Sequence, residues 1–324
     1  MNLAHDVALA PLTTLGIGGP AKRFGRIETL EDLRDASADD PRFLVIGGGS
    51  NLVVRDAGWP GLVAQMAIQG LEIRGDIVSV GAGVPWDHFV AEMVSAGRAG
   101  VECMSGIPGL VGATPMQNVG AYGQEVSDTI ALVHALDRVT GTLVNFAPAD
   151  CGFAYRSSRF KGSDRHVITQ VTFRLPHAPH GTVRYAELTN TLGGETAPLQ
   201  TIRDTVIALR RGKGMVVDPA DPESRSAGSF FTNPIVDPAL VPAGAPHWPQ
   251  PDGRVKLSAG WLIEHAGFAR GYTLGRVGIS RKHALALVNR GGATTAELLA
   301  LADEITAGVL ARHGIRLTPE PVIV

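Results

Sequence analysis

The sequence predicts an α+β fold organised as more than one domain. Short apolar runs stopped by glycine recur between residues 43 and 175 and read as strands. The longest amphipathic helix and a polar, proline-dotted loop both lie beyond residue 200, where the character of the chain changes. A length of 324 residues exceeds one ordinary core and suits two or three domains.

In chain order, Phe43-Leu44-Val45-Ile46 is an apolar run ended by Gly47-Gly48-Gly49-Ser50-Asn51, and Leu52-Val53-Val54 resumes it. That is strand, glycine loop, strand. Asp76 to Gly81 reads as another strand. Pro85-Trp86 opens a helix that runs to Ala96 and stops at Gly97, with proline in the first turn and glycine just past the end. Gly106-Ile107-Pro108-Gly109-Leu110-Val111-Gly112 is a second glycine loop. Ile130 to Leu136 and Thr142 to Phe146 flank Thr140-Gly141 as a hairpin, and His166 to Leu175 alternates as a further strand. Gln200 to Arg211 is helical. Pro238 to Gly253 is rich in proline, glycine and alanine and predicts irregular structure. Ala259 to Ala266 is a short helix and Ala284 to Val288 a strand. Thr294-Thr295-Ala296-Glu297 is a capping box. It starts a helix whose apolar stripe includes Leu298, Leu299, Ala302, Ile305, Val309 and Leu310, and Gly314 ends it. Arg316 to Val324 is extended.

Composition narrows the function. A net charge of −2 gives no basis for capturing nucleic acid or an anionic membrane. The first residues have neither a basic start nor an apolar run, so no signal peptide is expected, and no stretch reaches the ~20 apolar residues that span a bilayer. Cys103 and Cys151 are far apart, lack metal spacing and read as buried thiols of a cytoplasmic protein. The histidines do not pair at metal spacing, so no metal is assigned. Glycine is the outlier, with 40 of 324 residues against a usual ~7%. Such an excess means turns or close approach of backbone to a ligand.

The two glycine loops are the first candidates for chemistry. Successive backbone N–H groups in a tight turn form a nest that binds phosphate. Gly47, Gly48 and Gly49 offer such donors beside Ser50 and Asn51. The stretch from Gly106 to Tyr122 adds Gly109, Thr114, Gln117, Asn118, Gly120, Ala121 and Tyr122. Its amides suit the edge of a flavin or nucleobase. Two tight turns and a dinucleotide site are both consistent with this pattern. Gly16-Ile17-Gly18-Gly19 imitates a Rossmann fingerprint but follows no strand and lacks the acidic partner, so that fold is rejected. No Walker loop is present.

Three further features stand out. Ala227-Gly228-Ser229-Phe230-Phe231 places one hydroxyl between a glycine and two aromatic rings. It is either a turn serine at a strand start or a proton donor in a dry site. Arg156 and Arg159 lie three apart, about one helical turn, among Phe153, Tyr155 and Phe160. They are either a solvated edge or a carboxylate grip. Glu320 stands between Pro319 and Pro321, held extended, as a tail residue or as a fixed carboxylate.

These pieces, in this order, resemble the UDP-N-acetylenolpyruvoylglucosamine reductase family, flavoenzymes of peptidoglycan precursor synthesis. The resemblance runs nearly end to end. It is carried by Thr13-Thr14-Leu15-Gly16-Ile17-Gly18-Gly19, Gly47 to Asn51, Gly106 to Gly109, Gln117 to Gly123, Tyr155 to Phe160, Gly228 to Pro234, Ala259 to Ile263 and Pro319-Glu320-Pro321. It implies an FAD domain of the vanillyl-alcohol-oxidase type over residues 1–196, with subdomains of about 1–68 and 69–196. A substrate domain over 197–312 and a strand over 313–324 returning to the active site complete the expected division.

The resemblance also implies that NADPH reduces the FAD. The β-carbon of an enolpyruvyl UDP-sugar is then reduced, and a serine protonates its α-carbon. Carried over by motif, Ser229 is the proton donor, Arg156 grips the substrate carboxylate, and Glu320 polarises the same group or relays the proton. Tyr185 resembles the substrate-covering tyrosine of a subgroup with an extra loop. Lys213 and Asn233 resemble phosphate and sugar contacts, and His265 a residue lining the substrate site. Gly112-Ala113-Thr114 departs from the small polar residues usual there, and Arg159 receives no catalytic role. A monomer is expected. An oxidase on the same scaffold and a non-catalytic flavin-binding protein are the competing classes.

Overall fold

The computed structural model describes residues 1–40 and 42–324. The chain divides into two compact units, and neither is contiguous. Met1–Val7, Ala21–Gly48 and Pro60–Arg211 form the first, and Ala8–Pro20, Gly49–Trp59 and Gly212–Val324 the second. Two segments inside the expected residues 1–196 thus cluster with the C-terminal part of the chain, so the compact units are drawn differently from the contiguous division. The first glycine loop is cut by this boundary, between Gly48 and Gly49.

The first unit holds two sheets. One has the strand order Ala4–Ala8, Pro20–Ile27, Trp59–Met66, Leu44–Ile46, the last pair being parallel. Helix Leu30–Asp39 contributes Leu33 and Ala36 to the cluster formed by Ile27, Phe43, Leu62 and Ala64 of this unit. The other sheet is antiparallel in the order Leu143–Phe146, Ile130–Asp137, His166–Arg174, Ile77–Gly81, Leu71–Arg74. Helix Trp86–Ser95 buries Trp86 and Phe89 against Phe173, with ring centroids 5.2–6.0 Å apart. Helices Ala186–Leu192 and Leu199–Gly212 add Leu188, Ile202 and Val206 to a smaller cluster around Cys103 and Tyr122.

The second unit is built on helix Thr295–His313. The expected capping box is present, with the Thr294 hydroxyl accepting from the Glu297 N–H at 3.1 Å, and Gly314 ends the helix at φ +68°. The Asp56 carboxylate adds bonds from the Thr295 and Ala296 N–H groups at 2.8 and 2.9 Å, an anion at a helix N-terminus. Leu298, Leu301, Ala302, Ile305 and Val309 are buried, whereas Leu310 is exposed. The stripe therefore turns towards Leu301, the residue one turn from both Leu298 and Ile305. Two three-stranded sheets complete the unit, ordered Ile235–Val236, Val255–Leu257, His247–Pro249 and Thr273–Leu274, Val277–Ile279, Leu287–Asn289. The strand expected at Ala284 to Val288 starts later, at Leu287, and the segment expected to be irregular contains His247–Pro249. Val322–Ile323 runs parallel to Leu52–Val53.

No helix among the described residues is long and apolar enough to cross a membrane, and no group of three metal-ligating side chains occurs among them.

Candidate active site

In the first unit the glycine loops touch. Gly47 and Gly48 follow strand Leu44–Ile46, and a Cβ on Gly48 would stand 3.0 Å from the Gly109 Cα. Gly109 has φ +116°, a conformation that L side chains rarely adopt. Its loop is laid against segment 82–86: the Trp86 N–H donates to the Gly109 carbonyl at 3.0 Å and the Gly112 N–H to the Ala82 carbonyl at 2.9 Å. Asp87 pins the start of the loop, accepting from the Gly106 N–H at 2.6 Å and from both arms of Arg203 at 2.6 and 2.9 Å. Burial disfavours charge on Asp87, but these donors outweigh it and hold its carboxyl below the usual range.

Gly120 and Ala121 pair with Glu125 and Gln124 across a two-residue turn of Tyr122 (φ 48°) and Gly123 (φ 83°). Positive φ at both positions matches the twist of the flanking strands. Asn118 is buried, and its amide is engaged by the protein. It donates to the Glu125 carboxylate at 2.6 Å and accepts from the Ser127 N–H at 3.1 Å. The Thr114 hydroxyl donates to the Val111 carbonyl at 2.8 Å. These two polar side chains therefore shape the loop from within. Gln124 is tied to buried Glu102 at 2.9 Å, which steadies the hairpin. The Tyr122 ring meets Tyr185 edge-on at 5.5 Å. Burial pushes the Tyr122 phenol up to about 12, against the pull of the Arg210 charge. Burial likewise pushes Arg210 down to about 10.

Arg156 occupies a tight turn rather than a helical one. Ala154 and Ser157 exchange N–H···O bonds of 3.0 and 3.1 Å around Tyr155-Arg156, and Arg156 takes φ +51°. Its guanidinium donates to the Gly120 carbonyl at 2.8 Å, and the Lys161 ammonium donates to the Arg156 carbonyl at 3.0 Å. Arg159 diverges from it, bonding the Asp150 carbonyl at 2.9 Å and lying over the Phe146 ring.

In the second unit the chain end closes over the serine motif. Phe230 and Phe231 are buried, with rings 5.3 Å apart. Phe231 bridges Pro319, the Thr232 N–H donates to the Thr318 carbonyl at 3.0 Å, and the Glu320 N–H donates to the Phe230 carbonyl at 2.9 Å. This pairing sets Glu320 opposite the residue next to Ser229. Ser229 is half-buried, and its hydroxyl bonds no described residue. The Val322 N–H donates to the Asn51 carbonyl at 3.0 Å, so Gly49, Ser50 and Asn51 share this unit with Ser229 and Glu320. Asn233 accepts from the Ala259 N–H at 2.9 Å and so caps helix Ala259–His265. His265, exposed in the last turn of that helix, stacks on Trp261 at 3.7 Å. Lys213 directly follows helix Leu199–Gly212.

Comparison with known proteins bears on this arrangement. Residues 28–147 match a family described as FAD binding domain, and residues 219–324 one described as UDP-N-acetylenolpyruvoylglucosamine reductase, C-terminal domain. A UDP-N-acetylenolpyruvoylglucosamine reductase of Thermobifida fusca is 50% identical over 100% of this chain and 98% of its own length. The chain belongs to the UDP-N-acetylenolpyruvoylglucosamine reductase family. A second relative of that name, from Streptomyces coelicolor, is 49% identical over 99% of this chain and 90% of its own. The crystal structure of the Thermus caldophilus reductase superposes with a TM-score of 0.74 at 28% identity, covering 100% of this chain and 99% of that one.

As a member of this reductase family the protein is an FAD-dependent oxidoreductase of α+β fold with an FAD-binding domain. The residues present fit the cofactor. Gly48 and Gly109 approach so closely that a Cβ would obstruct the approach, as backbone binding of a pyrophosphate requires. Sequence reasoning missed Asp87 and Arg203, which fix the second loop. They lie 116 residues apart, and no local pattern in the sequence connects them.

Proposed function

We propose that the protein reduces the enolpyruvyl group of UDP-N-acetyl-3-O-(1-carboxyvinyl)-glucosamine to give UDP-N-acetylmuramate, with NADPH as electron donor. It acts as a cytoplasmic monomer in peptidoglycan precursor synthesis. One observation supports this reading most: a half-buried serine, its hydroxyl bonded to no described residue, directly precedes Phe230 and Phe231, whose backbone pairs with Pro319-Glu320. Residues 1–196 are assigned to FAD, 197–312 to the sugar nucleotide and 313–324 to the return of Glu320. The two glycine loops, the backbone at Thr114 and Asn118 and the Gly120–Tyr122 hairpin would hold FAD, which would supply two-electron redox chemistry between NADPH and the enolpyruvyl double bond.

The chain's own residues do the rest. Arg156 grips the substrate carboxylate with its planar fork and stabilises the charge that develops at the adjacent α-carbon. Ser229 Oγ gives its proton to that carbon. A free serine is a very weak acid, so transfer depends on the developing charge being localised where Oγ–H points. Glu320 polarises the same group or relays the proton that restores the serine. Tyr185, exposed at the start of helix Ala186–Leu192, covers the substrate. Lys213 and Asn233 contact its phosphate and sugar, and His265 lines the site. The joint action of Arg156 with Ser229 and Glu320 rests on family membership.

Anaerobic stopped-flow spectroscopy tests the reading. NADPH should bleach the flavin, and the enolpyruvyl sugar nucleotide alone among acceptors should restore its colour. Protein that stays colourless with added FAD, or flavin re-oxidised equally by unrelated acceptors, would overturn it.

A further inference from the structure

The Thr13–Gly19 segment imitates a nucleotide-binding fingerprint without following a strand, and the reaction above gives it no task. Thr14 and Leu15 make their polar contacts within the second unit. The Thr14 N–H donates to the Gly49 carbonyl at 3.2 Å, and the Thr14 hydroxyl donates to the Ser226 carbonyl at 2.6 Å. One residue therefore spans the glycine loop and the start of the Ser229 turn. Leu15 and Ile17 are buried in the same apolar cluster as Ala227, Phe230 and Phe231. The Asn289 amide donates to the Leu15 carbonyl at 2.9 Å, while its N–H donates to the Arg225 carbonyl at 3.1 Å.

Ser226 bridges Val288 through its backbone, and just beyond it the Gly228 N–H donates back to the Ser226 hydroxyl at 3.3 Å. Gly228 takes φ +71°, and a Cβ there would meet nothing within 4 Å. The turn is anchored on its far side by the Phe230 N–H, which donates to the Leu285 carbonyl at 2.7 Å. On its near side the side-chain anchor at Ser226 is Thr14, whose β-branched side chain has few rotamers to lose. We propose that Thr14 is a positioning residue for the proton transfer: its hydroxyl ties the entry of the Ser229 turn to the Gly49 loop. The proposal rests on Ser229 being the proton donor. Proton delivery to carbon tolerates little misplacement.

Thr14→Val keeps the shape and the N–H bond to Gly49 and removes only the hydroxyl. FAD affinity and the NADPH half-reaction should stay within about twofold of wild type, while the substrate half-reaction slows roughly ten- to a hundredfold. Its solvent deuterium isotope effect should rise as proton transfer becomes slower. Thr14→Ser should restore most of the rate. Amide hydrogen exchange of residues 226–230 should accelerate in Thr14→Val. Unchanged exchange, equal slowing of both half-reactions, or a Thr14→Ser variant as slow as Thr14→Val would each overturn the proposal. Thr14→Ala repeats the test at smaller volume should the valine variant not fold. Ser229→Ala, measured alongside, separates the two ideas. If it leaves the substrate half-reaction intact, the donor assignment fails, and the exchange data still decide whether Thr14 holds the turn.

Discussion

Arg156 and Ser229 are both presented by tight turns, yet the strain sits in different places. Arg156 itself takes the left-handed conformation, whereas at Ser229 the preceding Gly228 takes it. The side chains also differ. The guanidinium donates to the Gly120 carbonyl, and the serine hydroxyl bonds no described residue. The inventory of donors explains the difference. A guanidinium has five N–H groups and can bond the protein while gripping a substrate. A hydroxyl has one proton, and the proton donation proposed for Ser229 requires that this proton not be committed to the protein. The first unit therefore aims its residue by bonds from its own side chain at the cost of backbone strain, and the second aims its residue through bonds to the backbone around it.

Mutation can break this contrast at either end. The largest effect is expected from Ser229→Ala, which should leave flavin reduction by NADPH intact and slow the substrate half-reaction about 10²- to 10⁴-fold, measured by rapid-mixing absorbance. Equal loss in both halves would remove the proton-donor role. Arg156→Lys retains charge and loses the fork, so the substrate half-reaction should fall roughly ten- to a hundredfold with flavin binding unchanged.

Asp87→Asn tests the scaffold of the first unit. Removing the charge leaves the mostly buried Arg203 without its carboxylate and should cost about 2 kcal/mol in thermal or denaturant unfolding. Because Asp87 is held below its ordinary carboxyl value when folded, its contribution is present above that ordinary value and is lost as pH falls through the lowered one. Wild type should therefore lose more stability in acid than Asp87→Asn does. Gly228→Ala meets no steric obstacle and carries only the left-handed penalty, about 1 kcal/mol, but it should slow the Ser229 step more than it lowers stability. The smallest effect is spectroscopic. The phenolate of Tyr122 should appear only near pH 12, and Tyr122→Phe should abolish that step. A raised phenol favours the folded state below the ordinary tyrosine value, and that contribution is lost as pH climbs from there through the raised one.

Local features carried the legible part of the fold. The hairpin of Ile130–Asp137 and Leu143–Phe146, the helix opened at Trp86 and the capped helix Thr295–His313 each announce themselves by period, turn residue or cap. What stayed hidden depends on distant partners. The Tyr155-Arg156 turn contains no glycine, asparagine or proline to signal it, and surrounding structure forces Arg156 to positive φ. That Glu125, Ser127 and Ala154 converge on the Asn118 amide is likewise unreadable from its sequence neighbourhood. Strand His247–Pro249 was masked by Pro249, which sits on an edge strand where a missing N–H is tolerated. The site motifs were readable in order, but which unit each would join was not, because the first glycine loop is divided between two.

The extended segment from Thr318 to Ile323, which ends in strand Val322–Ile323, has a consequence for how the protein is made. During synthesis the glycine loops, Arg156 and Ser229 all leave the ribosome well before this strand does. Until residue 320 emerges, the Phe230 carbonyl lacks its Glu320 partner and Leu52–Val53 lacks its parallel neighbour. The second unit must therefore wait, with its most non-local pairings formed last, the kind of closure that sets slow folding rates. A nascent chain interrupted shortly before that point would carry Arg156 and Ser229 and still lack the backbone partner that sets the turn of the proposed proton donor.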